Sequence, residues 1–249
     1  PIEKVYVPVK RAKTLDADKV LVFLSQGGSM KRTHLSDFSN PRAGGVIAAG
    51  VKPGDRILSV ELSDGTAEIL LLTSAGRAIR FSEEDVSVMG RSARGVKGID
   101  VKGDHHVVGM VLVRRDATVL TITDRGMGKR TPVGEFPLQK RGGMGTLALP
   151  SSGDAGKLVC GMEVLKGDTV MVVTAGGVVT RLKGGEIPEQ GRRTQGTRLV
   201  KLGRGDRVVE VARGQGARDP GTARKAEAPE GPGGPSPEKQ LDLLGGERG

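Results

Sequence analysis

The apolar residues of this chain occur in short runs that recur at nearly regular spacing. Four runs are six residues long, contain many β-branched residues and end before a turn. They are VLVFLS (20–25), EILLLT (68–73), TVLTIT (118–123) and TVMVVT (169–174). Runs of this length are typical of β-strands and far too short to cross a membrane as helices. The pattern therefore predicts an all-β protein.

A second segment, joined to each of these runs, repeats with it. The aligned segments are SQGGSMKR, TSAGRAIR, TDRGMGKR and TAGGVVTR, and each has glycine fourth and arginine eighth. The glycines stand at 28, 76, 126 and 177, so the period is about fifty residues. Glycine adopts positive φ without strain, which predicts a hairpin turn at each of these positions.

The alignment continues beyond the hairpins. An acid follows each eighth arginine by five residues, a further glycine comes later, and a Gly-Asp pair precedes the last apolar run in three repeats. Each repeat is thus predicted as strand, glycine turn, strand, Gly/Arg loop, strand, Gly-Asp turn and strand. About four strands per repeat fits one propeller blade, and such blades must stack to bury their faces.

These boundaries divide the chain into three parts. Residues 19–212 hold the repeats, at about 19–66, 67–116, 117–168 and 169–212. Residues 1–18 resemble the closing strand of an incomplete repeat with a linker. Either this strand completes the last blade and closes the ring, or the chain is a fragment of a longer array, which the start at Pro1 favours. Residues 213–249 are rich in Gly, Pro and Ala with balanced charge, which predicts a disordered tail.

Composition narrows the class of partner. The formal charge is +10 and the pI about 9.9, which favours an anionic partner such as nucleic acid. Aromatic residues make up only 2%, so stacking on single-stranded bases has little support. Cys160 is the only cysteine and lies in an apolar run, which predicts a core residue and fits the reducing cytoplasm.

The predicted Gly/Arg loops are the candidate binding site. They are NPRAGGV (40–46), GRSARGV (90–96), QKRGGMG (139–145) and GRRTQGT (191–197). One such loop is usually a solvated turn, but four in register favour binding along a rim. The candidate DNA-binding residues are Gln139, Lys140, Arg141, Gly142, Gly143, Gly145, Arg42, Arg91, Arg94, Arg192 and Arg193.

Other polar residues have simpler explanations. The eighth arginines (Arg32, Arg80, Arg130 and Arg181) fit an ion pair with an acid of their own repeat at least as well as a phosphate contact. His105-His106 lies in a turn without further clustered ligands, so we expect no metal site. No nucleophile–base spacing and no phosphate-binding Gly-Lys-Ser/Thr loop occurs, so we expect no catalytic residue and no cofactor.

From about Lys19 to Ala212 the repeats resemble the C-terminal DNA-wrapping domain of DNA gyrase A. That family forms a β-pinwheel, a propeller variant whose blades exchange strands, and wraps duplex DNA around a basic outer rim. QKRGGMG resembles the family's gyrase-A box, Gln-Arg-Arg-Gly-Gly-Lys-Gly. Lys140 retains the charge of the box and Met144 departs from it.

The resemblance implies a role in a bacterial type IIA topoisomerase that supports ATP-dependent negative supercoiling. Its partners would be double-stranded DNA, the remainder of gyrase A, and gyrase B, in the cytoplasm and without a membrane. ATP and Mg²⁺ would bind elsewhere in the assembly, because this chain lacks the cleavage and ATPase centres. The alternatives are the corresponding domain of topoisomerase IV and a propeller-type protein-interaction scaffold.

One further motif lies in the predicted tail. QLDLL, Gln240–Leu244, resembles the pentapeptide that binds the bacterial sliding clamp, with Leu244 where Phe is usual. Such short motifs commonly fold onto a partner's groove. A chance leucine cluster or a helical turn packed on a blade is the simpler alternative.

Overall fold

A computed structural model describes residues 18–40, 44–113, 117–150 and 155–214. Within these ranges the chain forms strands and short 3-10 turns, the latter at Leu35–Phe38, Glu83–Asp85, Val133–Glu135 and Gly184–Glu186. The strands are β1 (Val20–Ser25), β2 (Ser29–His34), β3 (Ile57–Ser63), β4 (Glu68–Thr73), β5 (Arg77–Ser82), β6 (Val96–Lys97), β7 (Val107–Val113), β8 (Thr118–Thr123), β9 (Met127–Pro132), β10 (Thr146–Leu147), β11 (Leu158–Val164), β12 (Thr169–Thr174), β13 (Val179–Lys183), β14 (Thr197–Arg198) and β15 (Val208–Gly214).

The described strands form four antiparallel sheets, which confirms the predicted all-β class. Their orders are β3-β1-β2-β6, β10-β5-β4-β7, β11-β8-β9-β14 and β13-β12-β15. The glycines that predict the hairpins have φ values of +83°, +70°, +74° and +81° at Gly28, Gly76, Gly126 and Gly177. L-residues rarely adopt this conformation, which explains why glycine recurs at these turns.

The sheets exchange strands between repeats. The two-residue strands β6, β10 and β14 each pair with the second strand of the preceding repeat, through Val96↔Met30, Thr146↔Ala78 and Thr197↔Gly128. We call these three the exchanged strands. This arrangement is that of a β-pinwheel, and it links each sheet to the next one along the chain.

The strands that end the repeats lie at the opposite edge of each sheet. These closing strands, β3, β7, β11 and β15, contact one another in sequence, whereas the exchanged strands lie away from them. The exchanged strands and the Gly/Arg loops therefore form the outer rim. Apolar clusters fill the spaces between neighbouring sheets, and one of them joins Leu24 and Met30 of the first sheet to Leu71 and Ile79 of the second.

Some predictions concern residues outside the described ranges. They include the strand within residues 1–17, Arg42 in the first Gly/Arg loop, the tail from residue 215 onward and the motif Gln240–Leu244. Among the residues that the structure describes, no helix is long and apolar enough to cross a membrane.

Candidate nucleic-acid interface

The box-like loop, residues 139–145, is held by the backbone of the preceding repeat. The Gln139 N–H donates to the Arg80 carbonyl at 2.8 Å, and the Gly142 N–H donates to the Gly98 carbonyl at 2.7 Å. The Gly143 carbonyl accepts from the Asp100 N–H at 2.9 Å. The loop is thus fixed at its start and in its middle against the second repeat, before any ligand is bound.

Backbone geometry explains why two positions of this loop are glycine. Gly142 and Gly145 have φ values of +85° and +67°. A Cβ on Gly145 would also lie 2.2 Å from the Ala78 carbonyl oxygen, on the strand that β10 joins. The equivalent glycines, Gly95 and Gly196, approach Met30 and Gly128 in the same way. These glycines therefore allow the exchanged strands to join the preceding sheet.

The arginine of the loop ties two successive exchanged strands together. Arg141 donates through Nε to the Asp85 carbonyl at 2.7 Å and through Nη1 to the Lys97 carbonyl of β6 at 3.0 Å. The equivalent Arg192 donates through Nη1 to the Leu147 carbonyl of β10 at 2.8 Å. A guanidinium has five N–H donors, so each arginine keeps donors for a phosphate while its position is fixed.

The remaining cations of the loops are more accessible. The Lys140 side chain is 90% exposed and forms an ion pair with Asp85 at 3.1 Å, which is weak at that exposure. Arg94 and Arg193 are exposed, and Arg91 is partly buried. Gln139 and Gly143 are exposed as well, so the loops at 90–96, 139–145 and 191–197 all present polar groups on the rim.

Three of the eighth arginines, Arg32, Arg80 and Arg130, form hydrogen bonds to the next repeat. Arg80 donates to Glu68 of its own sheet at 2.6 Å, and also to the Val133 and Phe136 carbonyls of the next repeat. Arg130 donates through Nε to the Ile187 carbonyl at 2.9 Å. For Arg80, the predicted ion pair with an acid of the same repeat is present, but it accounts for only part of the contacts of this side chain.

Two buried lysines shape the loops and were missed in the sequence. The Lys129 ammonium donates to the carbonyls of Gly191, Arg192 and Thr194 at 2.7, 2.8 and 2.8 Å. Lys31 similarly bonds the carbonyls of Ala48, Gly90 and Arg91. Both stand seventh in the aligned segments, where the other repeats have Ile79 and Thr180, and this alternation was the available signal.

Burial also changes the ionisation of Lys129. Desolvation lowers the pKa of the Lys129 ammonium to about 8, below its ordinary 10.5. Between pH 8 and pH 10.5 the unfolded chain binds more protons at Lys129 than the folded chain does. The free energy of unfolding therefore rises with pH across this range.

We expect this linkage to be visible in thermal unfolding. Between pH 7.5 and 9.5, the melting temperature of the parent should rise relative to that of Lys129→Met, which cannot titrate. The variant should also lose about 1–3 kcal/mol of stability near pH 7, because three carbonyls lose their donor. Parallel pH profiles for the two proteins would contradict the assigned pKa.

A second feature missed in the sequence is a basic residue before each closing strand. The carbonyls of Arg56, His106, Lys157 and Arg207 each accept from the hairpin turn of their own repeat, so the four positions are structurally equivalent. All four side chains are exposed. Desolvation lowers the pKa of His106 most, and the positive charge of Arg56 lowers it further. The side chains of Arg56 and His106 are therefore close enough to interact electrostatically.

The described residues contain no group of three or more His, Cys, Asp or Glu side chains that could hold a metal ion. Cys160 is buried, and burial raises the pKa of its thiol to about 12, so it is a core residue as predicted. The exposed cations of the Gly/Arg loops support the binding of an anion along the rim.

The repeats match a known family across most of their length. The family model described as DNA gyrase C-terminal domain, beta-propeller, matches residues 19–64, 67–114, 117–159 and 168–213. The chain belongs to this family. The resemblance seen in the sequence is therefore confirmed, and each matched segment contains the glycine hairpin of one of the four sheets.

Curated relatives point to one of the two gyrase proteins. The chain is 36% identical over 204 residues to the DNA gyrase A protein of Pseudomonas aeruginosa, covering 82% of the chain and 22% of that protein. It is 40% identical over 204 residues to the DNA gyrase A protein of Staphylococcus epidermidis, covering 81% of the chain and 23% of that protein. The chain thus spans less than a quarter of the length of these relatives.

Solved structures agree on the fold. A C-terminal domain of DNA topoisomerase IV superposes with a TM-score of 0.77 at 25% identity, covering 82% of this chain and 64% of that one. A DNA gyrase A C-terminal domain gives 0.71 at 26% identity, covering 81% and 67%. Both proteins share the architecture, so the sequence relatives rather than the TM-scores separate them.

Proposed function

We propose that this chain binds and wraps duplex DNA as the C-terminal domain of gyrase A. The observation that carries the proposal is the rim: loops 90–96, 139–145 and 191–197 lie at the outer edge of successive sheets, and each has an exposed cation. The chain carries a net +10, and the predicted tail is balanced, so this charge belongs to the residues before the tail.

The rim fits a backbone-binding mechanism. Cations that neutralise phosphates release counterions, and this gives affinity without base recognition. Bending a duplex tightly costs on the order of several kcal/mol, and contacts on successive sheets offset that cost. The interblade bond of Arg141 to Lys97 fixes this side chain beforehand, which lowers the entropy that it loses when DNA binds.

The curated relatives favour gyrase over topoisomerase IV. The two quoted above are gyrase A proteins, at 36% and 40% identity over about four fifths of this chain. Within gyrase, wrapping would set the handedness of the DNA crossing that is presented for strand passage. The remainder of gyrase A, together with gyrase B, would supply cleavage and ATP hydrolysis with Mg²⁺, in the bacterial cytoplasm. The sliding clamp remains a predicted partner through Gln240–Leu244.

A topology assay tests the proposal directly. A closed plasmid is relaxed by a topoisomerase in the presence of this chain, and the linking number is measured after the protein is removed. Wrapping predicts a retained change of constant sign that grows with protein concentration. A protein-interaction scaffold predicts binding partners but no retained change, and that outcome would exclude the proposed function.

We expect Lys140→Ala with Arg141→Ala to weaken wrapping more than simple binding, because cations of the other loops still attract DNA. The single variants separate two causes. Lys140→Ala should leave the melting temperature unchanged, since its side chain is exposed. Arg141→Ala should lower it, because two interblade hydrogen bonds are lost. If the double variant constrains supercoils as well as the parent does, the loop is only a structural turn.

A further inference from the structure

The fourth repeat carries an unusual concentration of positive charge from the end of its Gly/Arg loop onward. Residues 196–207 contain four cations and one acid, whereas the equivalent residues 95–106 of the second repeat contain two of each. In the second repeat, Asp100 pairs with both Lys97 and Lys102 at 2.8 Å. These bonds, from Lys102 first and then Lys97, lower the pKa of Asp100 to about 2, so it stays ionised.

The fourth repeat lacks this neutralising acid. Gly95 and Gly196 are equivalent, and the residue five positions later is Asp100 in the second repeat and Lys201 in the fourth. Lys201 is exposed. The same place in the fold therefore changes from an acid that binds two lysines to an additional cation.

The fold brings three arginines to one cleft between the third and fourth sheets. Arg198 pairs with Met127 at the start of β9, beside the hairpin turn that carries Arg125. The Val208 N–H donates to the Asp124 carbonyl of that turn at 2.9 Å, which brings Arg207 to the same place. The three arginines line an open cleft of about 680 Å³, larger than a single phosphate group.

The acids of this cleft are bound to the backbone. Asp124 Oδ1 accepts from the Lys157 N–H at 2.9 Å, and Asp206 Oδ1 accepts from the Gly176 and Arg207 N–H groups at 2.9 and 2.8 Å. The side chains of Arg125, Arg198 and Arg207 are exposed, and none has an ion-pair partner among the described residues.

We propose that this cleft is a phosphate-binding site for the backbone of duplex DNA, with Arg125, Arg198 and Arg207 as its ligands. A planar guanidinium binds phosphate oxygens in a bidentate way, which suits an open site that must hold successive phosphates. The inference rests on the proposed wrapping function and extends it. It adds a contact on the hairpin side of the rim, apart from the box-like loop.

The test compares two double variants of equal charge in the full chain. Arg125→Ala with Arg207→Ala removes two ligands of the cleft, while Lys97→Ala with Lys102→Ala removes two cations from the equivalent place, where Asp100 engages them. Affinity for a linear duplex is measured by fluorescence anisotropy at several salt concentrations. We expect a loss of about tenfold or more for the arginine variant, with the log–log salt slope reduced by about 0.9 per lost phosphate contact. The lysine control should lose clearly less.

Each outcome has a definite meaning. Equal losses in both variants would overturn the site, since a general electrostatic field would then explain them. If the parent binds duplex and the arginine variant binds it equally well, the site is wrong while the wrapping proposal stands. If the parent itself does not bind duplex, the proposed function fails first. If inorganic phosphate saturates the cleft and duplex DNA does not displace it, the cleft is a site for a free anion and the proposed DNA contact is wrong. Arg125→Lys with Arg207→Lys should bind between the parent and the alanine variant.

Discussion

Replacing Gly109 by alanine is expected to lower the free energy of unfolding by about 3 kcal/mol or more. Gly109 lies in the closing strand β7, and a Cβ built there would stand 1.9 Å from the carbonyl oxygen of Gly161 in β11. Both groups are backbone, so neither can move without shifting a whole strand. The closing strands β7 and β11 can pack directly on one another because glycine occupies the point where they approach most closely.

Gly134→Ala is the matched control. Gly134 lies in an exposed 3-10 turn, and a Cβ there meets nothing within 4 Å. We expect a change within about 0.5 kcal/mol for this variant. Thermal and urea unfolding, followed by circular dichroism, measure both effects. A Gly109→Ala protein that unfolds like the parent would mean that the closing strands do not pack at this distance.

The parts of the fold that the sequence predicts well are local. The hairpin glycines and the six-residue runs each depend on neighbours within one repeat, and their period multiplies the signal fourfold. Gly109 and Gly161 were also visible as glycines inside apolar runs, which indicates a close backbone approach. The sequence does not indicate that Gly109 and Gly161 approach each other, because the two residues belong to different repeats.

The contacts between repeats account for what was missed. The exchanged strand Thr146–Leu147 has only two residues, too few to specify a partner by their hydrophobic pattern. Lys129 appears polar in sequence, yet its partners lie about sixty residues later, in a loop of the next repeat. Arg141 was predicted as a DNA ligand from its charge. Its interblade bonds are an additional role that charge alone does not indicate.

The second large effect is expected at Arg32, the eighth arginine of the first repeat. Its Nε donates to the Val86 carbonyl at 2.6 Å, and Nη1 lies 3.9 Å from Oε1 of Glu83. Glu83 is fully buried. Its Oε2 accepts from Ser63 Oγ and the Ala67 N–H, while Oε1 has no hydrogen bond among the described residues. Arg32 is therefore the cation that compensates this carboxylate and joins the first two repeats.

Arg32→Met should cost about 3 kcal/mol of stability, because it leaves a buried charge uncompensated while keeping much of the side-chain volume. Arg181→Met is the control at the same repeat position, where the arginine is exposed and its one side-chain hydrogen bond among the described residues is to Thr169 Oγ1 at 3.4 Å. That variant should change stability by less than about 0.5 kcal/mol. Adding Glu83→Gln to Arg32→Met should recover part of the loss, since the charge is removed but the hydrogen bonds to Ser63 and Ala67 can persist. Equal losses at Arg32 and Arg181, or no recovery in the double variant, would show that packing rather than charge compensation holds the first two repeats together.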